Sequence, residues 1–174
     1  MRRPPVALLA GILAFALGTT PATAQNTGAQ NVAPSCQEMA ASAGWAGAPA
    51  LAAATGAANR PTLEAGRAAK LALAPMPQVQ FAPPPDRSFD QASFGGLVRF
   101  QVAEKGVYRV AAGSAAWLDV VADGRAVEST AHGHDRQCVG VRKMVDFPLE
   151  PGEHLLQVAG SPTQEMTVLV TRLP

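Results

Sequence analysis

The residues best able to do chemistry stand together in Thr130-Ala131-His132-Gly133-His134-Asp135-Arg136-Gln137-Cys138. In an extended segment, residues two apart share a face, so His132 and His134 project together. Two imidazoles on one face with Asp135 beside them can begin an iron or zinc site. His154 is the remaining histidine of three and the candidate third ligand; Asp119, Asp123, Asp146 and Glu153 are further oxygen donors. The same segment also reads as a polar loop held by a disulfide at Cys138, or as a loop whose His132 and His134 contact a ligand without a metal.

Two further groups draw attention. Cys36 and Cys138 are the only cysteines. In an exported protein, two cysteines read most simply as one disulfide. That bridge would close a loop of about 100 residues, nominally ~4.7 kcal/mol in the chain-entropy model. Trp117 and Tyr108 lie on consecutive expected strands and could form an aromatic ligand platform, although such residues more often pack a core. No G-x-S-x-G elbow, P-loop or G-x-G-x-x-G is present, so hydrolase, phosphate and dinucleotide chemistry lack an anchor. The net charge is +1 and the basic residues are scattered, which argues against nucleic acid. Arg142, Lys143 and Asp146 fall on one expected strand and read as an outward salt-bridge group.

The elements that must position these residues follow from pattern. Arg2-Arg3, the apolar run Val6 to Leu17 and Ala22-Thr23-Ala24 read as a secretory signal peptide over 1–24, with the mature chain starting at Gln25. That implies a periplasmic or secreted protein. The apolar run falls short of the ~20 residues a spanning helix needs, and no membrane span is expected. Residues 25–66 read as a flexible leader and N-terminal arm. Within it, Cys36 to Ala43 forms a short helix, with Ser35 as N-cap, Glu38 closing a capping box and Gly44 ending it. Trp45 would anchor the arm.

From residue 67 to 174 the signals are those of strands. Lys70 to Leu73 and Val79 to Phe81 read as short strands among prolines. Leu97 to Val102, Val107 to Val110, Trp117 to Val121, Ala126 to Ser129, Val141 to Leu149, Leu155 to Val158 and Met166 to Val170 follow, and Asp123-Gly124 marks a tight hairpin. The fold class expected is all-β: an antiparallel, jelly-roll-like β-sandwich or a barrel, with a short helical or irregular N-terminal arm.

The segments G-V-Y-R-V at 106–110, W-L-D-V-V-A-D-G at 117–124 and F-P-L-E-P-G-E-H-L-L-Q-V at 147–158 resemble accessory β-sandwich modules of secreted bacterial proteins. These include pre-peptidase C-terminal and carbohydrate-binding modules. The resemblance covers roughly 90–174 and implies a sandwich, not one function. It departs at His154, where such hairpins usually carry an aromatic. The A-H-G-H segment, C-x-G-x-R-K-M-V-D-F-P-L from Cys138 and the terminal R-L-P are similar to a group of small exported alphaproteobacterial proteins. Some of these carry the name homogentisate 1,2-dioxygenase, which would imply iron on His132, His134 and His154. The residues favour a non-catalytic exported module without a cofactor, whose partner is a small molecule, a glycan or an envelope protein. The alternative is a metal-dependent, cupin-like oxygenase using iron or zinc.

Overall fold

Alternation along the strands builds two faces, and the apolar ones meet. The computed structural model describes residues 35–133 and 140–174. His134, Asp135 and Cys138, and the signal and leader up to residue 34, lie outside them. The strands are β1 (Ala50–Ala52), β2 (Thr62–Leu63), β3 (Ala69–Ala72), β4 (Ala74–Pro75), β5 (Phe94–Val102) and β6 (Gly106–Ala112). They continue with β7 (Trp117–Ala122), β8 (Arg125–Ala126), β9 (Ala131–Gly133), β10 (Lys143–Leu149), β11 (Gly152–Ser161) and β12 (Glu165–Arg172). One sheet runs β1-β3-β12-β6-β10-β9; the other runs β2-β5-β11-β7-β8, with β4 also on β5. The fold is an all-β sandwich. Most pairs are antiparallel, as tight hairpins require; β1 with β3 and β2 with β5 are parallel.

Between the sheets lie Val98, Phe100 and Val102 of β5, Tyr108 and Val110 of β6, and Leu118 and Val120 of β7. Val145, Phe147 and Leu149 of β10, Leu156 and Val158 of β11, and Met166, Val168 and Val170 of β12 complete the core. The period is two throughout, so Arg99, Gln101 and Lys70 face out. Asp123 (φ 48°) and Gly124 (φ 74°) turn β7 into β8, the positive φ pair that a two-residue hairpin needs.

Both outer faces are partly covered. The helix α1 (Cys36–Ser42) begins with the expected capping box, in which Ser35 Oγ accepts from Glu38 N and Glu38 accepts from Ser35 N at 2.9 Å. Gly44 follows in the left-handed region (φ 71°). Met39, Ala40 and Ala43 pack on Ala111, Val141 and Leu169, with Trp45 beside them. The described part of the arm supplies an edge strand to each sheet, β1 to one and β2 to the other.

On the other sheet, Leu97, Val121 and Leu155 face outward and are covered by Val79 and Phe81. Val79 to Phe81 is thus not a strand but part of a strap that follows a 3-10 turn at Met76–Gln78. The buried Gln157 side chain ties the strap down: it accepts from Ala82 N at 3.1 Å and donates to Pro83 O at 3.0 Å. That pairing satisfies an otherwise costly buried amide.

Candidate functional site

The two sheets separate at one edge, between β7 and β8 on one side and β9 and β10 on the other. A cleft of about 640 Å³ opens there. Its floor includes Leu118, Val145 and Phe147, and its rim carries Asp86, Trp117, Asp119, Glu128, His132 and Lys143. Strand geometry explains the placement. Leu118 of β7 points between the sheets, whereas Trp117 and Asp119, two residues apart, share the opposite face and meet the cleft at its rim. Lys143 opens β10, two residues before inward-facing Val145, and so points toward the same edge.

Trp117 organises the polar groups. Its Nε1–H donates to Asp119 Oδ2 at 2.8 Å. Lys143 Nζ lies 5.3 Å and Arg87 Cζ 5.4 Å from the indole centroid, both within cation–π range. Arg87 is also 5.5 Å from the Phe89 ring. Phe89 is seated against Gly160, whose φ of 68° and lack of a Cβ allow the ring to approach.

Burial pushes the Asp119 carboxyl above its ordinary range; the Trp117 hydrogen bond opposes this, Asp86 reinforces it and Lys143 opposes it. Burial likewise pushes the Lys143 ammonium down, with Arg87 adding to the effect and Asp119 opposing it. Among the described residues, neither Arg87, Lys143, Asp86 nor Asp119 has an ion-pair partner within salt-bridge distance. Asp86 and Arg87 are exposed, whereas Asp119 and Lys143 are half-buried; half-buried charges without a salt-bridge partner at a concave edge are the usual signature of a binding or reactive site.

The expected site residues are distributed unevenly. Trp117 and His132 both line the cleft. Tyr108 does not join them. It is buried in the core on the other sheet from Trp117, and its hydroxyl donates to Glu104 O at 2.9 Å. Its position on β6 falls on the inward phase of the alternation, so the two-ring platform is corrected to Trp117 alone.

His154 is also turned inward. It is 5% exposed and stacks on Phe100 at 5.6 Å between centroids; Nε2 is 2.8 Å from Glu150 O, and Nδ1 is buried without a partner. Its ring packs in the core against Phe100. Exposed His132, on the edge strand β9 of the opposite sheet, is not brought to it. Of the three expected ligands, His132 and His154 lie on opposite sheets, and His134 lies outside the described residues. Among the described residues no group of three His, Cys, Asp or Glu side chains is gathered to hold a metal ion.

The expected salt-bridge group on β10 is also rearranged. Asp146 faces outward and forms a bidentate pair with Arg109 across the sheet, at 2.8 Å for each contact. Lys143 goes to the cleft. Arg87, Asp86 and Glu128 were not singled out by sequence, because each sits in a polar loop or turn whose neighbours appear only on folding. No protein-family model and no curated protein matches this chain.

Proposed function

We propose that this protein is a non-catalytic, exported binding module that takes a small polar ligand into the cleft at the open edge of the sandwich. The observation that carries this reading is the Trp117 site: an indole, a half-buried carboxyl and a half-buried ammonium converge on an apolar-floored cleft large enough for a small molecule. A rigid apolar body with a few placed polar groups is the general form of such sites. Cations over the indole make it a poor bare platform for a neutral sugar, so charged ligands rank ahead of neutral glycans.

The chain has only two tryptophans, Trp45 and Trp117. A Trp45→Phe variant leaves Trp117 as the sole indole and a direct reporter of the cleft. Its emission would be titrated with a panel of neutral mono- and disaccharides, amino acids and small carboxylic acids. The reading predicts a saturable change with at least one compound, weakened by Asp119→Ala in calorimetry. A panel that leaves the emission unchanged throughout sinks it.

Export and a Cys36–Cys138 disulfide belong to the same proposal. Cys36 packs with the cluster that buries Val141, three residues beyond Cys138. Mass analysis of the periplasmic fraction should show a chain starting at Gln25, with two alkylatable thiols only after reduction. Thiols that alkylate without reductant would remove the bridge.

A further inference from the structure

The charged groups around Trp117 are not mixed at random. Beside the main cleft is a smaller depression of about 340 Å³, lined by Arg87, Phe89, Ala115, Ala116, Trp117, Lys143 and Gly160. Its only charged lining groups are the two cations. The carboxylates Asp86, Asp119 and Glu128 line the larger cleft instead. Trp117 and Lys143 belong to both and mark the divide.

We propose that the smaller depression is an oxyanion subsite, in which Arg87 and Lys143 together bind a carboxylate or phosphate group of the ligand. The inference rests on the cleft reading and adds the charge of the ligand to it. Two like charges beside one indole repel each other: burial is the main cause that lowers the Lys143 ammonium, Arg87 adds to it and Asp119 opposes it. Neither has a carboxylate partner within salt-bridge distance among the described residues. Folding has gathered two cations in a depression that no carboxylate lines, while Asp119 acts on Lys143 from the larger cleft.

An oxyanion between them removes the repulsion and gains charge-assisted hydrogen bonds, with the guanidinium supplying a planar fork and the ammonium a point charge. The remaining walls are Ala115, Ala116 and Gly160, which carry no side-chain donors or acceptors. Specificity for the anionic group therefore falls to the two cations. The part of the ligand that continues past Trp117 meets the carboxylates of the larger cleft, which suits hydroxyl or amino groups.

The test uses the full mature chain carrying Trp45→Phe, at low ionic strength, with inorganic phosphate, sulfate and acetate as probes. Saturable change in Trp117 emission is expected. Arg87→Gln and Lys143→Gln should each weaken it about tenfold, the equivalent of one charge-assisted contact, and the double variant should abolish it. Lys70→Gln removes one exposed positive charge from β3 and should leave the affinity within about twofold, which separates a site from general attraction. Thermal melts of each variant confirm folding.

No saturable response to any anion, or an equal response in the double variant, overturns the proposal. If neutral or cationic panel members still bind in that case, the cleft reading survives and only the anion subsite is lost. If nothing binds, both fall.

Discussion

Two regions of the molecule carry charge next to apolar surface, and they treat it in opposite ways. On the outer face under α1, Arg109 and Asp146 meet in a two-pronged pair, and the carboxylate is nearly buried. The Asp146 hydrogen bonds hold the Arg109 guanidinium above its usual range, against the opposing effect of burial. At the open edge, Lys143 and Asp119 are half-buried and Arg87 and Asp86 are exposed, yet none is paired with another at salt-bridge distance. The first arrangement is complete within the chain. The second is left open within the chain, and that contrast is the ground on which the proposed site is placed where pairing fails.

Breaking the closed pair should cost most. Asp146→Ala strands a guanidinium beneath the helix and should destabilise the fold by about 2–3 kcal/mol, less than a fully buried pair because Arg109 keeps some solvent. Urea denaturation checks this, and a loss under about 0.5 kcal/mol would erase the distinction between the two regions. Ser35→Ala removes the side-chain acceptor at the start of α1, the lid over that same face. About 1 kcal/mol is expected, read by the same denaturation.

His154→Phe keeps the ring against Phe100 and removes the orphaned Nδ1 while giving up the Glu150 contact. The two effects offset, so a change below about 1 kcal/mol is expected. A large loss of any bound metal in that variant would instead restore His154 as a ligand.

The smallest effect sharpens the open region. In the folded protein Asp119 holds its proton to higher pH than in the unfolded chain. Its favourable contribution is therefore full below the unfolded value and is lost as pH rises through the raised folded value. Asp119→Asn should melt slightly above the parent at neutral pH, and the gap should close in acid. A gap that widens in acid reverses the sign and contradicts burial as the dominant cause.

Much of the scaffold was legible. The Asp123-Gly124 turn, the Ser35–Glu38 capping box and the period-two runs in β5 and β6 are local, and each appears as read. The misreadings share a cause. Val79 and Phe81 alternate like a strand, but prolines on both sides remove ladder donors, and the segment spends its apolar side chains covering Leu97, Val121 and Leu155. Arg142, Lys143 and Asp146 were read as one group because they are adjacent in sequence. Strand alternation instead sends Asp146 outward and Lys143 toward the edge. The H-G-H-D motif drew attention by composition; His132 reaches the cleft, while His134 and Asp135 lie outside the described residues.

By itself, the sequence determined most of the longer strands, which side of β5 and β6 is apolar, the Asp123-Gly124 turn, and that one short capped helix precedes them. These depend on neighbours within a few residues, through backbone sterics, hydrogen bonding and the two-residue period. Only the tertiary structure decided that Trp117 and Lys143 meet, that Arg87 from a proline-rich strap joins them, and that His154 and Tyr108 are packed away. Those outcomes depend on which strands become sheet edges and on how two sheets diverge. Such contacts join residues far apart in sequence, and they appear only once the apolar faces have closed on each other.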